Sequence, residues 1–325
     1  MLRDGISNEA YHADSALGRS VAQKMRTFCP ERVRYEMGKP SESTPALING
    51  SMIHSGALEP HKLDKEFQCK PLEIDGNSPR TNAYKESFAQ MEADNPGVTF
   101  VPYGDYCNNK EVIASVSDHP LLKELIYDSN SKIEHTGFFE FEGVACKVRP
   151  DLYNTRTGMV LDLKTTQDGS EHGFAKSVRQ YGYLFQAAWY MTALRQMGER
   201  PKDFVFLCVE KSPPYLTSCY TLDNNDIERE VPAVIDAIRL YGECLKTDTW
   251  PGYGDDIKTL NLGTPYTENR LSISALSRKF GVSRSYCYTI IKKHDLELRK
   301  IRNRQTVSMY EFSNALRWEN TGKAA

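Results

Sequence analysis

The sequence predicts an α/β fold, a mixed sheet flanked by helices, followed by a small basic helical module. Three observations carry this. Short apolar runs bounded by turn signals lie within residues 138–164 and 204–222, as strands do. Two longer stretches, 177–197 and 227–246, place apolar residues at helical spacing. From Arg270 onward there are 12 Lys or Arg and 4 Asp or Glu, a balance of +8 against −10 for the remainder of a chain whose net charge is −2. A basic module on an acidic body points to a phosphate-bearing partner.

The elements follow in order. Gly38 to Asn49 (GKPSESTPALIN) reads as a loop between two helical parts of the amino-terminal region. Phe138–Phe141, Ala145–Tyr153 and Met159–Lys164 read as three strands, separated by Glu142-Gly143 and by Asn154 to Gly158. Ser177–Met197 reads as one helix with Val178, Tyr181, Phe185, Ala188 and Thr192 on its apolar face. Phe204–Glu210 and Leu216–Leu222 are partner strands, and Ile227–Lys246 is a closing helix. Trp250 to Asn269, rich in Gly, Pro, Asn and Thr, is the expected linker. At about 150 residues per domain, 325 residues suggest two domains, here 1–250 and 270–325 joined by 251–269.

Composition excludes several classes. Hydrophobic residues at 40% and charged residues at 26% fit a globular chain. No apolar run approaches the roughly 20 residues of a membrane span, and MLRDGISNEAYHAD contains no signal-peptide core. The eight cysteines are scattered without a CxxC pair, which argues for reduced thiols and a cytoplasmic setting rather than a zinc knuckle or a disulfide framework.

The chemistry concentrates in RPDLYNTRTGMVLDLKTT. Residues i and i+2 of a strand share a face, so Asp162 and Lys164 project together, and a hairpin through Asn154–Gly158 brings Asp151 alongside. Two carboxylates can hold Mg²⁺, a hard cation that prefers oxygen, and a lysine can steady a nucleophile or a phosphate. Asp162 lies among Val160, Leu161 and Leu163, and a buried charge needs a partner or a metal. The other reading of these residues is a set of edge-strand carboxylates bonded to a neighbouring lysine.

The string RPD followed by LDLKTT resembles the PD-(D/E)XK nuclease superfamily, whose restriction-endonuclease-like core is a mixed sheet flanked by helices. Further segments are similar to the exodeoxyribonuclease VIII family of phage recombination nucleases: SNEAYHADSALGRS, GSMIHSGALEP around His54, YGYLFQAAWY with Gln186 and Tyr190 at the Q-x-x-x-Y positions, and ECLKTDTWPG. The resemblance spans roughly Ser7 to Gly252. It implies His54, Asp151, Asp162 and the backbone carbonyl of Leu163 as metal ligands for Mg²⁺, with Mn²⁺ as the alternative. It also implies Lys164 as the catalytic lysine and Gln186 and Tyr190 as further catalytic positions. Asp162 stands where many superfamily members have Glu.

Other candidates come from patterning. Arg179, Tyr183, Gln186 and Tyr190 fall on one stripe of the expected helix and could contact phosphates and sugars. Arg19 and Ser20, with Lys24 and Arg26, could form an anion pocket at a helix start; a solvated charged face is the other reading. Glu134, just before the first core strand, could be an extra acidic contributor; a salt-bridge or surface residue is the favoured reading.

The carboxy-terminal segment reads as a helix-turn-helix. Ile273, Leu276 and Phe280 give one inner face, Gly281 the turn, Ser283 a cap, and Tyr286, Ile290 and Ile291 the second inner face. Arg284, Ser285, Tyr288 and Lys292 then face outward as on a recognition helix. RKIRNR, with Arg302 and Arg304, between β-prone Leu296–Leu298 and Thr306–Ser308 reads as a basic wing, and Met309–Trp318 as a closing helix. The whole is similar to the winged helix-turn-helix of excisionase-like proteins.

The expected function is a metal-dependent 5′→3′ exonuclease on double-stranded DNA ends that leaves 3′ overhangs for a single-strand-annealing recombinase. The resemblance implies a ring-shaped homo-oligomer, a trimer or tetramer. Two alternatives stay open: an endonuclease targeted by the helix-turn-helix, and a non-catalytic DNA-binding regulator.

Overall fold

The computed structural model describes residues 2–39, 43–256, 270–296, 298–301, 304–308, 312, 315, 316 and 319. The chain divides into two compact units, Met1–Gly254 and Asp255–Ala325. No helix among the described residues is long and apolar enough to cross a membrane.

The first unit opens with β1 (Leu2–Arg3), α1 (Asn8–Ala13), α2 (Arg19–Thr27), α3 (Pro30–Met37), α4 (Pro45–Leu58) and α5 (Pro60–Glu66). It continues through β2 (Phe67–Cys69), α6 (Asn82–Asp94), β3 (Thr99–Val101), α7 (Tyr103–Ser117) and α8 (Pro120–Tyr127). Then come β4 (Ser131–Ile133), β5 (Thr136–Phe141), β6 (Val144–Val148), β7 (Leu152–Asn154) and β8 (Met159–Thr166). The unit closes with α9 (Glu171–Tyr181), α10 (Tyr183–Gln196), β9 (Asp203–Glu210), β10 (Thr217–Thr221) and α11 (Asn224–Thr247).

A five-stranded mixed sheet, in the order β10-β9-β8-β7-β4, is the centre; β8 and β9 are parallel and the other pairs antiparallel. Side-chain alternation feeds two cores. Val160, Phe204, Phe206 and Cys208 face one core with α2, α10 and α11, and Leu161, Leu163, Leu207 and Val209 face the other with α4 and α7. A separate sheet, β1-β5-β6, lies in the first core's layer through Cys146 and Val148.

Four expectations about elements are corrected. Ala145–Tyr153 is two strands in two sheets, β6 and β7, because Pro150 has no N–H with which to continue a ladder. The helix expected over Ser177–Met197 is broken at Gly182, which adopts φ +66° and ψ +39°. The loop expected to reach Asn49 ends at Thr44, whose side chain caps α4 by accepting the Leu47 N–H, with Pro45 in the first turn. Trp250, expected in the linker, packs edge-on against Tyr241 of α11.

In the second unit, β11 (Arg270–Ser272) leads into α12 (Ile273–Phe280), and Gly281 at φ +66° turns the chain towards α13 (Arg284–Lys293), capped by Ser283. A hairpin follows, β12 (Arg299–Ile301) and β13 (Arg304–Ser308), in the sheet order β11-β13-β12. Cys287, Ile290 and Ile291 form the inner face of α13, whereas Tyr286, expected there, is exposed. Leu296–Leu298 precedes the first hairpin strand rather than forming it. Met309–Trp318 falls largely outside the described residues.

Gly182→Ala should lower stability by about 1–2 kcal/mol, the cost of a side chain in the left-handed region. A Cβ there would also sit 2.1 Å from the Gln23 amide nitrogen, which donates to the Tyr181 carbonyl. Chemical denaturation measures the loss.

Candidate active site

Strand register builds the site. Ile133 lies opposite Leu152, and Leu152 opposite Leu161. One step further along these antiparallel ladders brings Glu134 beside Asp151 and Asp151 beside Asp162. The Glu134 N–H donates to the Asp151 carbonyl at 3.0 Å, as that step requires. Asp151 and Asp162, directly opposed, share a face, and Glu134, which follows β4 at φ +50°, brings its carboxylate to Asp151, so three carboxylates stand in a row at one end of the sheet. His54 reaches them from α4, with Nδ1 3.4 Å from Asp151 Oδ2. Ligand atoms of His54, Glu134 and Asp151 lie within 4.8 Å of one another.

Asp162 is 1% exposed: the Gln186 amide donates to Oδ1, and Oδ2, which accepts no hydrogen bond, forms an ion pair with Lys164. Gln186 accepts in turn from Arg19 Nη2 at 3.1 Å. Gln186, expected to touch DNA, is thus directed at Asp162, a buried bond that a sequence stripe could not distinguish from a surface contact. Asp151 Oδ2 accepts the Leu163 N–H at 2.7 Å, while the Leu163 side chain lies in the second core. Tyr190 is packed beside Asp162 and Asp151; burial first, then those two charges, holds its phenol far above the ordinary value, so it stays protonated.

The remaining expected residues are dispersed. Tyr183 lies beneath the Lys164 ammonium, 4.9 Å from its ring centre. Arg179 is exposed on α9, off any stripe shared with α10, because Gly182 separates the two helices. Ser20 is exposed, Lys24 pairs with Glu36 at 2.9 Å and Arg26 pairs with Glu230, so these residues and Arg19 do not gather into an anion pocket. In the second unit, Arg284, Ser285, Tyr288 and Lys292 are exposed on α13, and the Tyr288 hydroxyl meets Gln305 of the hairpin at 3.4 Å. Arg304 begins β13, and Arg302 lies outside the described residues.

Glu134 is no surface residue: it is half-buried in the row itself. Of its two sequence readings the acidic contributor fits, and what periodicity could not supply is the register of β4, a strand of three residues. Arg149 and Lys147 were missed. Arg149 donates to Thr136 Oγ1 (2.8 Å) and the Ile6 carbonyl (2.7 Å), and Lys147 to the carbonyls of Tyr11 (2.6 Å) and Asp14 (2.8 Å). They pin the amino-terminal segment as one wall of a cavity of about 580 Å³ that His54 and Glu134 also line.

Residues 20–262 match the family described as a PDDEXK-like domain of unknown function, DUF3799. This chain belongs to that PDDEXK-like family. No curated protein matches it. Among solved structures, a candidate exonuclease from Eubacterium rectale is 15% identical, with 79% of this chain and 97% of that chain covered at a TM-score of 0.55, a likeness of fold. A phage-related exonuclease from Haemophilus somnus is 13% identical over 72% of this chain and 96% of that one, at a TM-score of 0.32 too low to carry an argument.

The PDDEXK-like domain is electrostatically incomplete at this row. Burial and then the neighbouring Asp151 charge raise the Glu134 carboxyl well above its ordinary value, with Arg149 opposing. Burial also raises Asp162, against the pull of Lys164 and with a push from Asp151. Crowded oxygens with one imidazole nitrogen suit a divalent cation, on which PD-(D/E)XK nucleases depend. His54, Glu134 and Asp151 could hold it, with Asp162 adjacent in the row.

Raised carboxyl pKa values mean that the metal-free folded state binds protons more tightly than the unfolded chain. Their contribution to stability is therefore present below the ordinary carboxyl value and lost as pH rises towards the raised one. Thermal melts of the metal-free protein should fall over that range, and Mn²⁺ at pH 8 should restore the loss. Glu134→Gln should abolish most of the Mn²⁺-induced rise without lowering the metal-free melting temperature. Gln186→Leu, which leaves Asp162 Oδ1 without its donor, should cost about 1–3 kcal/mol by denaturant titration.

Proposed function

We propose that this chain is a divalent-metal-dependent deoxyribonuclease, a 5′→3′ exonuclease acting on double-stranded DNA ends. The observation that carries the reading is the carboxylate row Glu134–Asp151–Asp162, flanked by His54 and by Lys164 on the same face of the sheet. A site this crowded with negative charge does not take a phosphodiester by itself. Bound Mg²⁺, or Mn²⁺ in its place, supplies activated water and offsets charge developing on the phosphate.

The chain's own residues do the remaining work. Lys164 sits where its ammonium, steered by Asp162 and the Tyr183 ring, meets the scissile phosphate or its attacking water. Asp162 is held by Gln186 and Arg19, which fix its carboxylate plane. Tyr190, kept neutral, is a hydroxyl donor beside the two aspartates. The charge of the second unit and the exposed Arg284, Ser285, Tyr288 and Lys292 support a winged helix-turn-helix that engages duplex DNA. A homo-oligomeric ring of three or four copies and an annealing recombinase that takes up the 3′ overhang complete the reading.

Digestion of linear duplex labelled separately at its 5′ and 3′ ends tests it, with a supercoiled circle alongside. Mg²⁺-dependent early release of the 5′ label with the circle intact is expected. Early 3′ release would reverse the polarity, and a linearised circle would replace the reading with an endonuclease. Asp162→Asn and Lys164→Ala should each lower the rate by about 100-fold or more. Full activity in Asp162→Asn would remove this row from the chemistry.

A further inference from the structure

A second cleft, of about 290 Å³, opens on the Lys164 side of the carboxylate row. Its walls include Thr165 and Thr166, the two residues after Lys164 on β8, together with Lys176, Tyr181, Tyr183 and Lys211. The cleft therefore begins where the row ends, and the 580 Å³ cavity lies on the opposite, Glu134 side.

Its aromatic wall exists because of Gly182. In a continuous helix, residues i and i+2 point in nearly opposite directions. The left-handed turn at Gly182 instead brings the rings of Tyr181 and Tyr183 to 5.7 Å at 30°. Behind Tyr183, Phe206 lies at 5.5 Å and Phe174 at 6.0 Å, and Phe174 stacks on Tyr220 at 5.3 Å. This aromatic column is rooted in the core, and its inner tyrosine carries the Lys164 ammonium. Its outer ring, Tyr181, is 53% exposed, although the sequence places it on an apolar helix face.

The charge on the walls is selective. Lys176 and Lys211 are exposed and form no ion pair among the described residues. Asp168 is the one acid lining the cleft, and its Oδ1 is turned to the Ser170 N–H at 2.9 Å. An exposed ring on a rigid aromatic stack, with two free ammonium groups beside it, suits a planar base joined to phosphates.

We propose that this cleft is a stacking subsite for an unpaired nucleotide adjacent to the phosphate held at Lys164, with Tyr181 as the platform and Lys176 and Lys211 as backbone contacts. The inference rests on the nuclease reading and assigns it a requirement: the strand being cut is unstacked from its complement on the Lys164 side.

The test is fluorescence titration of the full-length protein, in Ca²⁺, with a single-stranded oligonucleotide carrying 2-aminopurine. Wild-type protein should quench the fluorophore. Tyr181→Ala should lose the quenching and bind about tenfold more weakly, and Tyr181→Phe should retain both properties. Tyr181 is half-exposed, so neither variant removes core packing, and a matching melting temperature checks this. Equal quenching by wild type and Tyr181→Ala, or none by wild type, overturns the subsite. Digestion of linear duplex DNA by wild type in Mg²⁺ reports separately on the nuclease reading, so the two failures are distinguishable.

Discussion

Three carboxylates brought side by side at the end of a sheet repel one another, and the surrounding structure is organised around that repulsion. Asp162 is tolerated inside the protein because Lys164 and Gln186 occupy its two oxygens. Gln186 can do so because α10 runs across the sheet face with its amide fixed from behind by Arg19. Asp151 is braced by the Leu163 N–H and by His54. Glu134 is compensated only by the charges of Arg149 and Lys62, while Asp151 and Glu59 push against it. A row built this way is most stable with a proton or a cation among its oxygens, which links the site's electrostatics to its use.

Two backbone breaks place these groups. Pro150 lies between β6 of one sheet and β7 of the next, so the Asp151 carboxylate stands where the two sheets part company. Gly182 divides what periodicity presents as one helix, so that α10 can aim Gln186 and Tyr190 at the aspartates while α9 turns away. In both cases a residue with restricted or unusual backbone chemistry marks the site more sharply than the reactive side chains do.

Much of the architecture is legible in the sequence because alternation and helical spacing are local. The strands around Asp162, the partner strands Phe204–Glu210 and Leu216–Leu222, and the turn at Gly281 all follow from neighbours within a few positions. The pairing of Asp162 with Lys164 is local too, since two residues on a strand share a face. Cys287 displacing Tyr286 from the inner face of α13 shows the limit: a shift of one position along a short helix changes which side chain is buried.

By itself, the sequence determined the composition of the chemistry: an Asp-x-Lys strand, an upstream Asp after proline, a histidine on a helix, and a basic terminal segment. Tertiary structure decided which groups meet. Glu134 joins the row only through the register of a three-residue strand, Gln186 turns inward only because Asp162 is buried beneath it, and Tyr181 reaches solvent only because Gly182 breaks the helix. The physical reason is range. Periodicity reports each residue's own face, whereas register, burial and the direction of a broken helix depend on segments far apart in the chain.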